Sequence, residues 1–502
     1  MAEDVLLGID LGTTVLKAAV LSARSGKTLG AASVRLPVRC GGDGMREQDL
    51  DRVDAAVAAA AGRLRRRLGR AWARIAGIGL AAQGGSAIIV DAATGKAHTS
   101  MQLWNDSRPM KLLDEIAARR PRAYWKRLSC LDAPGAGLAR IEWLRRRRPG
   151  LFRQGNLYVG AGEYLYFKLT GAWRQDAGNA LQIGCYDARR RRLAAVPLRL
   201  VGVPASFVAP MRRGHETHPL SPAGAKLLHL PAGVPVAGPY MDHEAGFLSA
   251  AGASGRPLQL SLGTAWVGNF VLPSGKWPPE GFNLLLPSPL GAGSLVVRVT
   301  AGGNISSDWA METFVGRGAG ALSRADAIFR RSLLPPPDLT ALPWLTRANV
   351  LDPAAAGAGG FLGVGPHTSR HDLLRAMAAA MCFELARVFE PIVRGGTVGR
   401  IVLTGGAASG WHFRELLSVL FAPLPISRVA GDELAGARGA VWTFSKAAAR
   451  ARTEPCPAPR KADRKEVLAA YEHYCRVCEV LARGLGKAAE GVFLYSRKEK
   501  RS

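Results

Sequence analysis

Apolar residues come in short blocks split by polar turns, starting at the head of the chain. Val5 to Ile9 is an unbroken apolar run that reaches Asp10, turns through Gly12, Thr13 and Thr14, and gives way to a second run, Val15 to Leu21. This predicts a buried strand, a tight polar turn and a returning strand. Asp51–Leu68 reads as a helix, followed by strands over Ile75–Ala81 and Ser86–Asp91. Leu112–Arg120, Leu138–Arg148 and Gly160–Leu169 read as helices, the last stopped by Thr170-Gly171. The proline-rich passage Val196–Pro239 predicts loop and a domain boundary at its end. Gly238–Gly252 then reads as a turn opening a helix, and Leu258–Leu262 with Trp266–Val271 as a second hairpin around Gly263-Thr264. His371–Phe389 reads as a long helix. Arg400–Leu403 is a strand running into Thr404-Gly-Gly-Ala-Ala-Ser-Gly410, with helices at Trp411–Leu420 and Gly436–Ala449 and a basic helical appendix beyond about residue 451.

Strands alternating with Ala/Leu/Arg-rich helices indicate α/β architecture. The absence of any repeat at about 20 to 50 residues argues against a solenoid. The second hairpin restates the first, apolar strand, Gly-Thr turn, apolar strand, which suggests two related halves.

Composition narrows the class. A chain of 502 residues accommodates two or three domains and a large core. No apolar stretch approaches the ~20 residues that span a bilayer, so no membrane partner is expected. The acidic start, Met-Ala-Glu-Asp, has no basic n-region, so no signal peptide is expected. Seven scattered cysteines, Cys40, Cys130, Cys185, Cys382, Cys456, Cys475 and Cys478, point to reduced thiols in the cytoplasm. Cys475-x-x-Cys478 has half a zinc spacing but no second pair nearby, and reads as two thiols on one helix face. His215, His218, His243 and His367 have no zinc-like spacing and read as polar pocket residues.

The net charge of +28 raises the question of a polyanion partner. The excess lies in the runs Arg65–Arg67, Arg145–Arg148 and Arg189–Arg192 and in the tail from Ser496. None is interleaved with aromatics, so a solvated arginine-rich surface explains them and no specific nucleic acid is expected.

The first turn has chemistry of its own. Gly12 lets backbone approach a ligand, and the turn amides with the Thr13 and Thr14 hydroxyls can donate to phosphate oxygens. Asp10 can hold a divalent cation through water, and Lys17 adds positive charge. A bare hairpin turn uses the same residues.

Asp10-x-Gly12-Thr13-Thr14-x-x-Lys17 resembles the first phosphate loop of the actin-like ATPase superfamily. With it, Glu47-Gln48-Asp49, Gln83, Leu103-Trp-Asn-Asp-Ser-Arg108, Arg140-Ile-Glu-Trp143, Tyr164–Gly171 with Asp176 and Asn179, Asp242, Gly263-Thr264, Gly405-Gly406-Ala407 and Gly439-Ala440 follow in the order seen in the FGGY family of carbohydrate kinases. The chain is therefore similar to that family from Gly8 to about Ala448.

The resemblance implies two actin-like (ribonuclease H-like) α/β domains with a catalytic cleft between them. Residues 1–240 would form the sugar-binding domain, 241–450 the nucleotide-binding domain and 451–502 a basic extension. It implies ATP and Mg²⁺ and a small sugar or polyol acceptor, most simply a pentulose such as xylulose. Another ketose, gluconate, glycerol and a non-catalytic sugar- or nucleotide-binding relative are the alternatives, and a homodimer is compatible with the reading.

By the same resemblance Asp242 is the base, against its alternative as a helix cap, and Asp10 orders the metal. Gly12, Thr13, Thr14, Lys17, Gly263, Thr264, Gly405, Gly406 and Ala407 face the nucleotide. Gln83, Gly84, Gly85, Trp104, Asn105, Asp106, Arg108, Asp176 and Asp242 face the acceptor. Trp104 reads equally as core, and Arg108 as a partner of Asp106. Pentulose kinases usually carry Met-His where this chain has Gly84-Gly85, which suggests room for a different or larger acceptor.

Overall fold

The computed structural model describes residues 4–252, 255–263, 265–278, 284–300, 303–345, 359–457 and 464–481. Two compact units emerge, one from 1–254, 271–297 and 431–452, the other from 255–270, 298–430 and 453–502.

The first unit is built on a six-stranded sheet in the order Thr217–Pro219, Pro235–Met241, Ile75–Ala82, Val5–Leu11, Val15–Ser22, Thr28–Arg35. The central pairs are parallel, Val5–Leu11 with Ile75–Ala82 and Ile75–Ala82 with Pro235–Met241. Such strands are covered on both faces, which is why Val5–Leu11 is apolar without alternation. Leu7 and Ile9 point to one side, where the helix Leu50–Leu68 lays down Val53, Val57, Ala60 and Leu64. Asp49 caps that helix by accepting from the Asp51 amide at 2.9 Å.

Leu6 points to the other side, against Ala245 and Leu248 of the helix Asp242–Ala251 and Ala437 and Ala440 of the helix Ala435–Ala440. Backbone meets backbone here. A Cβ on Gly8 would lie 1.8 Å from the Ala437 carbonyl oxygen, and one on Gly439 1.8 Å from that of Ala245.

Three expectations are corrected within this unit. Gly238–Met241 is strand, not turn, because Ala237 and Tyr240 pair with Gly79 and Ala81 across a bulge. The proline-rich passage is ordered into the helices Ala195–Leu200 and Pro222–Leu228 and two strands. Pro222 follows the capping residue Ser221, where a missing amide costs nothing. Gly436–Ala449 breaks into Ala435–Ala440, a tight turn and Lys446–Ala449, the last capped by Ser445.

In the second unit Pro257–Leu262 pairs antiparallel with Trp266–Leu272 and parallel with Arg400–Thr404. Ile426–Val429 and Thr453–Pro455 extend that sheet. The helix Arg370–Arg394 opens with a Ser369/Asp372 capping box. The Phe389 ring packs where a Cβ on Gly268 would be, 2.0 Å from its Cζ. Residues 464–481 are helical, and the Tyr474 hydroxyl donates to Glu384 at 2.8 Å. The tail from Ser496 lies outside the described residues.

Two of the arginine runs engage their own chain. Arg145 and Arg146 pair with Glu142, Arg147 lies 4.4 Å over the Trp143 ring, and Arg189 4.4 Å over that of Trp277. All seven cysteines are free, and no group of three metal-ligating side chains occurs among the described residues. No described helix is long and apolar enough to cross a membrane.

Candidate active site

The hairpin register places Lys17 directly across from Asp10. Asp10 is half-buried, and its Oδ1 has no hydrogen-bond partner among the described residues. Burial, then the charge of Asp242, push Asp10 up to about 7, with Lys17 pulling the other way. Asp10 is a strand residue, not a strand-end turn residue.

Asp242 opens the helix Asp242–Ala251 in the first-turn field that favours a carboxylate. The capping position belongs to Met241, and among the described residues the Asp242 carboxylate accepts only from the His243 amide, at 2.8 Å. Behind Asp10 stands Gly436, whose Cβ would be 2.3 Å from Asp10 Oδ2. Sequence reasoning missed Gly436, although a glycine inside a helix is itself a packing signal.

The turn is tied from beneath. Gly12 donates to the Val15 carbonyl at 3.2 Å, and a Cβ there would sit 2.8 Å from that oxygen. Thr13 donates to Gln83 Oε1 at 2.8 Å, while Thr14 is exposed. Gln83 is buried and also accepts from Ser86 at 3.1 Å, so its amide is engaged in holding the loop.

On the acceptor side Trp104 is 47 % exposed, which removes the core alternative, and its Nε1 donates to Thr13 Oγ1 at 3.2 Å. Asn105 is exposed beside it. Asp106 is buried and accepts from the Arg46 amide at 3.1 Å and from Arg108 Nη2 at 2.6 Å. Arg108 also pairs with Glu47 at 2.6 Å and lies 4.9 Å over the Trp143 ring. The buried Arg140 donates to the carbonyls of Gly85, Leu103 and Trp104.

Asp176 is buried and caps the helix Ala177–Ile183 through the Asn179 amide at 3.0 Å. Burial and the Glu244 charge push its acid up, with Arg212 opposing. Glu163 is pushed up by burial and then by Asp176, with backbone amides pulling the other way. Arg212 grips Glu244 at 2.7 and 2.8 Å.

The space over Gly84-Gly85 is filled, contrary to the sequence-based expectation of room. A Cβ on Gly84 would lie 2.3 Å from Gln182 Nε2, and one on Gly85 2.0 Å from Gln182 Oε1. Gly85 has φ +75°, a conformation that suits glycine.

In the second unit, the Gly263 carbonyl accepts from the Asn304 amide at 3.1 Å, and Thr264 lies outside the described residues. Gly405 has φ +91°, and a Cβ there would be 2.5 Å from the Leu262 carbonyl carbon. Gly406 and Ala407 line a cavity of about 580 Å³ with Met311, Phe329, Met377 and His412. The His412 ring stacks on Phe329 at 4.0 Å and 7°. Burial pushes His412 down to about 4, so the ring is neutral. The sequence reading found the glycine turn but none of the helix residues facing it.

Residues 5–249 match the N-terminal domain of the FGGY family of carbohydrate kinases. The chain belongs to that family. This kinase is 25 % identical over 434 residues to the xylulose kinase of Escherichia coli (strain K12), covering 85 % of this chain and 87 % of that one. It is also 25 % identical over 472 residues to the erythritol kinase of Brucella abortus (strain 2308), covering 87 % and 86 %. Its fold superposes on the crystal structure of xylulose kinase from Rhodospirillum rubrum with TM-score 0.84 at 20 % identity, over 96 % and 99 % of the two chains. The kinase thus has the two-domain actin-like α/β fold, and its reaction class is ATP-dependent phosphoryl transfer to a carbohydrate.

Proposed function

We propose that the kinase phosphorylates a hydroxyl of an uncharged ketose or polyol, first among them a pentulose such as xylulose. The observation carrying this is the carboxylate pair in the first unit, Asp242 at a helix start and Asp10 with an orphaned buried oxygen. In the reaction the acceptor oxygen forms a bond to the γ-phosphorus, the bond from that phosphorus to the β,γ-bridging oxygen breaks, and ADP leaves. Asp242 takes the hydroxyl proton as the bond forms.

A hard cation suits an orphaned carboxylate oxygen beside a second carboxylate, so Asp10 fits Mg²⁺ held through water. The ion would neutralise phosphate charge. The Gly12–Thr14 amides and hydroxyls and Lys17 would meet the phosphates, as would Gly263 and Thr264. The cavity beside Gly406 and Ala407 has the size and apolar lining for a nucleoside. Trp104 would serve as the apolar platform of the acceptor, with Asn105 at its edge. Asp106, Arg108, Asp176 and Gln83 would act by positioning. The seven free thiols accord with work in the cytoplasm.

The test is ADP release with Mg-ATP over a panel of ketoses, polyols and aldonates, with Asp242→Asn alongside. Release with one uncharged acceptor, lost by at least about a hundredfold in Asp242→Asn, is expected. Equal turnover in the variant would remove Asp242 as the base, and preference for an aldonate would overturn the acceptor class.

A further inference from the structure

Two glycines stand where an acceptor site needs walls, and the wall comes from elsewhere in the chain. Gln182, near the end of the helix Ala177–Ile183, sends its carboxamide back over the Gly84-Gly85 turn. Its Nε2 occupies the place of a Gly84 side chain and its Oε1 that of a Gly85 side chain. Trp104 Cβ borders the same space, 3.4 Å from the position of a Gly85 Cβ, and Met241 Cγ is 3.3 Å from that of Gly84. Met241 immediately precedes Asp242.

The amide is held there lightly. Among the described residues its one hydrogen bond is from Nε2 to Met241 Sδ at 3.7 Å, and sulfur is a weak acceptor. Gln182 is half-buried, so its oxygen and remaining N–H have an open side. Gln83, by contrast, is buried and engaged by Thr13 and Ser86.

We propose that Gln182 is the specificity-determining residue of the acceptor site, its carboxamide replacing the missing side chains of residues 84 and 85 and reading adjacent hydroxyls of an uncharged polyhydroxy acceptor. A carboxamide both donates and accepts, as vicinal hydroxyls do, and it brings no positive charge for a sugar acid. This rests on the assignment of the acceptor site above.

The glycine pair supplies a built-in test. A methyl at Gly84 displaces the far end of a flexible side chain, not backbone, so Gly84→Ala should fold and push the amide aside. Steady-state kinetics on the acceptor panel, with calorimetric acceptor binding in parallel, would compare wild type, Gln182→Ala, Gly84→Ala and the double variant. Gln182→Ala is expected to raise the acceptor KM and Kd about tenfold, the scale of one well-placed hydrogen bond, with the KM for ATP unchanged. Gly84→Ala should do the same alone and add nothing in the Gln182→Ala background. An unchanged acceptor KM and ranking in Gln182→Ala, or full additivity in the double variant, would overturn the proposal while leaving the kinase assignment standing. A wild type that neither binds nor turns over any acceptor would remove both.

Discussion

Gly436→Ala sets two ordinary rules against each other. Alanine is the better helix former by ~1 kcal/mol, so in an open helix the change stabilises. At Gly436 the new methyl would stand 2.3 Å from Asp10 Oδ2 and 2.6 Å from its Cγ, about 1 Å inside ordinary contact. Either the Asp10 carboxylate or the helix Ala435–Ala440 must yield, and that helix already lies with backbone against Gly8 and Gly79. Overpacking of this kind costs ~1–3 kcal/mol, which outweighs the helix gain. The expected result is a net loss of up to ~2 kcal/mol, and a kcat reduced by about a hundredfold if Asp10 moves by the missing ångström. Gly62→Ala is the control, because its nearest atom would be Arg66 Nη1 at 3.6 Å, and it should raise Tm. Thermal melts and single-turnover phosphorylation on the three proteins decide the matter. A Gly436→Ala protein with raised Tm and unchanged kcat would refute the packing argument.

Arg140→Met should leave the carbonyls of Gly85, Leu103 and Trp104 without their guanidinium, at ~1–3 kcal/mol for each buried one as an upper scale, and lower Tm by several degrees; a Tm within one degree of wild type would contradict the role given to Arg140. Glu163 holds its proton more tightly folded than unfolded, so its contribution is full below the ordinary carboxylate range and is lost as pH rises towards the mildly alkaline. Glu163→Gln should therefore melt increasingly above wild type between about pH 5 and 8.5, and parallel Tm curves would refute the shift. His412→Ala should raise the KM for ATP about three- to tenfold through the lost stack, equally at about pH 5.5 and 8 because the ring is neutral at both. A pH-dependent loss would mean that His412 carries charge.

The strands and helices with strong local pattern were legible. Val5–Leu11 is a buried strand, as its apolar run predicted; Trp411–Leu420 is a helix at the predicted bounds. Pro235–Met241 was not legible, because its two-residue bulge hides a parallel pairing that only Ile75–Ala82 can complete. The site divided along the same line. Asp10, Lys17 and the Gly12–Thr14 turn sit within one hairpin, so spacing alone assembles them. Gln182 and Gly436 reach the site from distant segments, and no short window contains both a glycine and the group that fills its missing side chain. Trp104 shows the converse, since exposure of a tryptophan depends on which neighbours cover it and not on its own sequence.

The return of residues 431–452 to the first unit has a bearing on how the chain is made. Emerging from a ribosome, the strand Val5–Leu11 can be covered early on the side of Leu7 and Ile9 by the helix Leu50–Leu68, within the first seventy residues. Its opposite side, with Leu6, Gly8 and Asp10, is covered in part by the helix Asp242–Ala251 and completed only by the helix Ala435–Ala440, more than four hundred residues after the strand itself. At translation rates of about 5–20 residues per second, that side stays incompletely covered for roughly 20 to 90 seconds. During that interval the nascent chain presents an apolar sheet face to whatever holds it, so nascent-chain capture by chaperones should depend on the coding length between these two segments.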